Sequence, residues 1–391
     1  MATNNDPSTE SASDDVSVDG SADDGAGAVD SAPWTEQSVD VPETDVTEEH
    51  TYAMYPADTY AHDDLGFSDD EVVAMYRNML LQRRFEERCR QMYQQQKISG
   101  FLHLYIGQEA VSTGSVAAIN LGEDSVITAY RDHGIGLAMD MTPEECMAEL
   151  FGKADGCSRG KGGSMHFFDA DKKMMGGHGI VGAQIPLGVG IAFAHKYKGD
   201  GNVCLTFLGD GAMNQGAFHE AANLASIYDL PVVIICENNQ YGMGTAVDRV
   251  SAEPELYKRG NTYDMPCALA SGMDVFAVNK AIQDHVELAR DNQPSFLEIR
   301  TYRYQGHSIS DPALYRADNE LDDRQSEDAI VRLQRYITTH KLASDDELDA
   351  IDEEVKQEVL DAIEFADESP EPPEEAIYED IYTQDDYPFI A

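Results

Sequence analysis

Val203-Cys-Leu-Thr-Phe-Leu-Gly-Asp-Gly211, then Ala212 to Asp229, then Leu230-Pro-Val-Val-Ile-Ile-Cys-Glu-Asn-Asn-Gln-Tyr241 is the stretch that decides the fold. Val203 to Leu208 is a nearly continuous apolar run, the pattern of a strand buried on both faces. Gly209-Asp210-Gly211 breaks it, with glycine where a backbone turns sharply or approaches a ligand. Phe218, Ala221, Leu224, Ala225 and Tyr228 then recur at helical spacing and predict one apolar face. Pro231 ends that helix, and Val232 to Cys236 reads as a second buried strand. A strand–helix–strand unit of this kind makes its two strands parallel and adjacent. Asp210 and Asn239 would then stand at the carboxyl ends of neighbouring strands, where open α/β sheets bind ligands. A carboxylate and an amide oxygen there, beside a helix N-terminus, suit a hard divalent cation such as Mg²⁺ with a phosphate ligand. Each fragment alone reads as an ordinary turn; their spacing around a crossover helix favours the site.

Composition limits the partners. The 391 residues carry a net charge of −46, and 42% are hydrophobic. That is enough apolar matter for a core, and the charge argues against nucleic acid or an anionic membrane as a partner. Met1 to Tyr76 holds 20 Asp or Glu and no Lys or Arg. Acids still exceed bases about two to one in the rest of the chain. An acidic body poor in lysine stays hydrated in high salt, which points to a halophilic cytoplasm. Six scattered cysteines, none in a Cys-x-x-Cys pair, read as reduced core residues. No apolar run reaches membrane-spanning length, and the N-terminus has no basic and apolar leader pattern. Residues 1–50 read as an acidic disordered tail. Residues 51–391 read as a single α/β domain with helical N- and C-terminal extensions.

Ser68-Asp-Asp-Glu71 predicts a capping box opening a long helix, with Val72, Met75, Tyr76, Met79, Phe85, Cys89 and Met92 on one face and Gly100 at its end. His103 follows in Phe101-Leu-His-Leu-Tyr-Ile-Gly-Gln-Glu-Ala110, where a lone histidine is more often structural than catalytic. Ser125 to Ala129 is a short strand running into Tyr130 and Arg131, a hydroxyl and a guanidinium able to hold phosphate. A surface ion pair is the plainer alternative. Residues 152–182 are glycine-dense, with Lys153, Arg159 and Lys161 interspersed, either a loop that bends over an anion or a connector. Gly177-His-Gly-Ile-Val-Gly182 matches a dinucleotide fingerprint formally, but no strand is expected before it. A small-residue helix (Ala183, Leu187, Ile191, Ala194) should follow. Val275 to Val278 and Ser295 to Thr301 read as two more strands. The second leads into Tyr302-Arg-Tyr-Gln-Gly-His-Ser-Ile-Ser-Asp-Pro312, with His307. Ser344-Asp-Asp-Glu347 caps a C-terminal helix bearing Leu348, Ile351, Val355 and Ala362.

In that order, from about Leu65 onward, these motifs closely resemble the alpha subunit of the thiamine diphosphate-dependent first component of 2-oxo acid dehydrogenase complexes. The motifs are Leu102 to Ala110, Ile127 to Arg131, Gly160 to His166, Gly179 to Gln184, Gly209 to Gly216, Cys236 to Thr245 and Tyr302 to Pro312, the last in the pyruvate dehydrogenase form. The resemblance implies a thiamine diphosphate-binding α/β fold, mostly parallel sheet flanked by helices. It implies that Asp210, Asn239 and the Tyr241 carbonyl hold Mg²⁺ and that Gly211 and Ala212 offer amides to the diphosphate. Tyr130, Arg131 and His307 would bind phosphate oxygens, and Gly179 and Val181 the aminopyrimidine. His103 and His307 would be catalytic, exchanging protons near neutral pH. The implied reaction is oxidative decarboxylation of a 2-oxo acid, pyruvate ahead of the branched-chain acids or acetoin, with acyl transfer to the lipoyl domain of an acyltransferase. A glutamate that activates the thiamine has no place in this chain. The resemblance puts it on a beta subunit, in a two-alpha, two-beta heterotetramer.

Overall fold

The computed structural model describes residues 41–43, 45–46 and 51–381. Most of the acidic segment expected over residues 1–50 lies outside them. The main sheet contains β1 (Asp45–Val46), β2 (Thr51–Tyr55), β3 (Ser125–Ala129), β4 (Met174–His178), β5 (Cys204–Gly209), β6 (Val232–Asn238), β9 (Cys267–Ser271) and β10 (Ser295–Arg300). Between β6 and β9, β7 (Tyr241–Gly242) and β8 (Thr245–Ala246) form a small antiparallel ribbon. The strand order is β1-β2-β9-β10-β6-β5-β3-β4. Every pairing from β2 to β4 is parallel; only β1 runs antiparallel, against β2. This is the mostly parallel sheet that the sequence predicts.

The helices are α1 (Asp69–Gln94), α2 (Glu109–Val116), α3 (His133–Ala138), α4 (Pro143–Leu150), α5 (Gln184–Lys198), α6 (Gly216–Ile227), α7 (Val247–Val250), α8 (Val275–Arg290), α9 (Glu320–Gln325), α10 (Ala329–His340) and α11 (Asp345–Glu368). Side chains alternate across a strand, so each central strand feeds two cores. Leu205 and Phe207 of β5, with Val233 and Ile235 of β6, pack under α1–α4, α8, α10 and α11. Cys204 and Leu208, with Val232, Ile234 and Cys236, pack under α5 and α6. Burial on both faces explains why these strands read as continuous apolar runs. The capping boxes at Ser68 and Ser344 form as expected, and α1 buries all seven anticipated residues. It stops at Gln94, short of Gly100. The cysteines are free, and all but Cys157 are buried.

Four local expectations fail, each for a physical reason. Val275 to Val278 is not a strand but the first turn of α8. Asp274 Oδ1 accepts the N–H groups of Phe276 (2.8 Å) and Ala277 (3.2 Å), and this N-cap outweighs the β-propensity of valine. The strand is the small-residue run Cys267–Ser271 instead. A strand does precede Gly179: Met174–His178 pairs with β3 despite its glycines, because β3 supplies the ladder. Its successor β5 is not its neighbour, since β3 lies between them. The helix expected from Ala212 begins at Gly216, after a 3-10 turn over Asp210–Asn214. Finally, the faces of α5 and α6 are rotated from those anticipated. Phe218, Ala221, Ala222 and Ala225 are buried, as are Ile185, Gly188, Val189 and Ala192. Leu187, Phe193, Tyr197, Leu224, Ile227 and Tyr228 are left exposed, with Phe193 ringed against Tyr197 and Tyr228.

Candidate active site

Sheet register places the first two residues. Gly209 of β5 is level with Glu237 of β6, and Arg300 of β10 with Asn238. The chain leaving each strand therefore rises at the same edge. Asp210 follows β5, Asn239 follows β6, Tyr130 and Arg131 follow β3, and Arg303 follows β10. These tips surround a cavity of about 330 Å³. Tyr130, Arg131, Val181, Asp210, Gly211, Ala212, Asn239 and Tyr241 all line it. Gly179 is at the end of β4, beside His166. Glycine at 211 allows a close approach: a Cβ there would lie 3.1 Å from the Gly242 Cα, and the ribbon would have to give to admit it.

The two asparagines part company. Asn238 turns into the sheet, where its Nδ2 donates to Glu298 Oε1 (2.7 Å). Asn239 turns to the cavity. Its Nδ2 donates to Gln108 Oε1 (2.9 Å), and its Oδ1 sits 3.3 Å from Asp210 Oδ1 and 3.2 Å from the Tyr241 carbonyl oxygen. With the amide this way round three oxygens face one another, an arrangement that a cation between them would stabilise. About 3 Å is also the spacing of adjacent oxygens in an octahedral Mg²⁺ shell. Rotated, the same amide would donate to both oxygens. The donor set fits a hard cation, and the amide's orientation decides whether it is available. Burial pushes the Asp210 carboxyl up to about 6, against the pull of Arg303.

Arg131 is a buried tie, not the surface ion pair. Its Nη1 donates to the Leu104 carbonyl (2.6 Å) and its Nη2 to the His307 carbonyl (2.8 Å), joining the loops that carry the two histidines. The His103 ring lies 4.7 Å from Tyr130 and 5.2 Å from His307. Neither histidine lines the cavity itself; they stand behind Tyr130 and Arg131. His103 Nδ1 is buried without a hydrogen-bond partner. Burial and the adjacent Arg131 depress His103 to about 3 and His307 to about 4. In the chain by itself both rings are held neutral, below the range near neutrality that the resemblance implies.

Sequence reasoning missed several contributors. Arg303 is buried and donates to the carbonyls of Tyr241 (3.3 Å), Met243 (3.0 Å) and Gln305 (3.0 Å). Arg316 clamps the His307 loop through the carbonyls of Arg303 (2.5 Å), Tyr304 (2.7 Å) and Gln305 (2.8 Å). Glu237 is buried on the cavity wall, bonded to the Tyr105 hydroxyl and to Gln108. Its place beside two asparagines on a strand end was the one available signal. The glycine-dense loop is pinned: Glu149 Oε1 accepts from the N–H groups of Gly162 (2.7 Å) and Gly163 (2.9 Å), and Oε2 from Ser158 and Gly160 (2.8 Å each). Its cations pair with the C-terminal segment, Lys153 with Glu371 and Arg159 and Lys161 with Asp380.

The cavity lies at the strand tips of an α/β protein, the edge of the sheet where such folds bind ligands, with two buried arginines beside it. The chain belongs to the dehydrogenase E1 component family, whose profile matches residues 77–375. A Rickettsia prowazekii protein named pyruvate dehydrogenase E1 component subunit alpha is 48% identical over 314 residues, 80% of this chain and 96% of that one. The protein so named in Rhizobium meliloti is 49% identical over 317 residues, 81% and 91% of the two chains. The mitochondrial one of Solanum tuberosum is 46% identical over 319 residues, 81% of each. Among the described residues, no helix is long and apolar enough to cross a membrane.

Proposed function

We propose that this chain is the alpha subunit of a pyruvate dehydrogenase that uses thiamine diphosphate and Mg²⁺. The observation carrying the proposal is the oxygen trio of Asp210, Asn239 and Tyr241 on the wall of a cavity that also presents Tyr130 and Arg131. Those three oxygens would hold Mg²⁺. The amides of Gly211 and Ala212 would face the diphosphate, and Gly179 and Val181 the aminopyrimidine. Bound there, thiamine diphosphate would supply the electron sink that lets a 2-oxo acid lose carbon dioxide. The residues of this chain orient it and exclude water. His103, held beside Tyr130 and His307, would act from behind the cavity wall on the substrate or on an incoming lipoyl group. An anionic diphosphate would offset the field of Arg131 and Arg303 and bring both histidines closer to neutrality.

The proposed assembly is a two-alpha, two-beta heterotetramer, with the lipoyl domain of an acyltransferase as acceptor. The exposed apolar residues of α5 and α6 support a protein partner on that face. The beta chain would complete the thiamine end of the site, so this chain alone is expected to be inactive. The acidic body supports a halophilic cytoplasm as its setting. Ferricyanide reduction by the reconstituted assembly tests the substrate: pyruvate is expected to outpace 2-oxoisovalerate and acetoin. A faster rate with either rival reassigns the substrate, and turnover by the purified chain alone refutes the need for a beta subunit.

A further inference from the structure

We propose that Glu237 is a positioning residue that fixes, through Gln108, which end of the Asn239 amide faces the metal site. The inference rests on the cation site described above and names the device that keeps it open.

A carboxamide is nearly the same shape either way round, so packing does not choose between its oxygen and its nitrogen. Only donors and acceptors choose. Gln108, Glu237 and Asn239 are all buried, so bulk water does not relieve a wrong choice. Glu237 Oε1 accepts from the Tyr105 hydroxyl on one side and from Gln108 Nε2 (3.4 Å) on the other. With its nitrogen committed to Glu237, Gln108 presents its oxygen to Asn239, whose Nδ2 donates to it at 2.9 Å. The Asn239 oxygen is thereby left facing Asp210 Oδ1 and the Tyr241 carbonyl.

The opposite arrangement is equally self-consistent once Glu237 is removed from the count. Gln108 would turn its nitrogen to Asn239, and Asn239 would turn its own nitrogen to Asp210 and Tyr241, satisfying both oxygens without a cation. That state is closed to metal. It would also set the Gln108 oxygen against the Glu237 oxygen that accepts from Gln108 Nε2, and this opposition disfavours it. Glu237 is proposed to act through Gln108, as partners behind a metal ligand commonly do.

Mn²⁺ binding to the assembly with its beta partner, in the presence of thiamine diphosphate and followed by the electron-spin resonance of free Mn²⁺, tests the inference. Glu237→Leu, which removes the acceptor that holds the Gln108 nitrogen, is expected to weaken Mn²⁺ about tenfold or more. Gln108→Leu, which breaks the relay without altering a charge, is expected to do the same. The double exchange Glu237→Gln with Gln108→Glu restores the polarity, since a carboxylate at position 108 only accepts from Asn239 and the amide now at position 237 donates to that carboxylate. It is expected to recover affinity to within about threefold of wild type. Damage to packing would instead accumulate in the double variant. Wild-type affinity in Glu237→Leu, or a double variant no tighter than Gln108→Leu, overturns the inference. A wild-type assembly that binds no Mn²⁺ would overturn the cation site itself, a separate result.

Discussion

His103 and His307 meet edge to face, 5.2 Å between ring centroids and 76° between planes, brought together from two distant loops by one guanidinium. Burial first and Arg131 second hold His103 far below its ordinary value, at about 3. Between about pH 6.5 and 3 the unfolded chain takes up a proton that the folded chain refuses. The neutral ring's contribution is fully present above the unfolded value and is lost as pH falls through this window. The slope is about 1.4 kcal/mol per pH unit. His103→Asn should therefore lose about 2 kcal/mol less stability than wild type between pH 7 and 5 in paired urea titrations. Identical pH slopes would mean that the folded ring protonates normally.

Glu149 gives a second prediction. In Glu149→Gln, two of the four loop amides would face an NH₂ group in a buried site. Each such loss costs about 1–3 kcal/mol, so a total of about 2–6 kcal/mol is expected. Trypsin should then cut at Lys153, Arg159 or Lys161 under conditions where the wild-type loop resists. A loop equally resistant in the variant would show that the carboxylate does not hold it.

Arg83 is bracketed by Glu109 (2.6 Å) and Asp328 (2.8 Å), both buried. Arg83→Met strands two carboxylates and should cost about 3–5 kcal/mol. Adding Glu109→Gln and Asp328→Asn removes the stranded charge and should recover much of the loss. A triple variant as unstable as the single would locate the cost in packing instead.

Two glycines of α5 make a matched pair. A Cβ at Gly188 would collide with Thr206 Oγ1 and crowd Ile127, whereas one at Gly190 meets nothing within 4 Å. In the isolated chain, Gly188→Ala should destabilise by about 1–3 kcal/mol. Gly190→Ala should be neutral or stabilising by up to about 1 kcal/mol. Thermal melts of the two variants side by side check this, and equal melting points would contradict it.

The parallel core and the Asp210–Asn239 pair were legible because they rest on long apolar runs ending in polar turns at a fixed spacing. Val275 to Val278 misled because a single N-cap carboxylate outweighed the preference of its valines. The strand Met174–His178 was hidden by its glycines, since only pairing with β3 makes it a strand. The exposed faces of α5 and α6 carry apolar residues on both sides, so periodicity alone could not say which side meets the sheet. Arg303, Glu237 and Gln108 escaped notice because their roles depend on which atom of one side chain faces which atom of another. The family resemblance supplied roles for His103 and His307, but not the burial that keeps them neutral.

The register between β5 and β6 has a consequence for how such a chain can change. Gly209 lies level with Glu237, so the distance from Asp210 to Asn239 is written in the ladder and not in the crossover joining them. Residues added around Asp229, at the far edge of the sheet, would leave the oxygen trio where it is. One residue gained or lost inside either strand would shift its tip by about 3.3 Å and turn the next side chain to the opposite face. Length variation in this unit is thus free at one edge of the sheet and forbidden at the other.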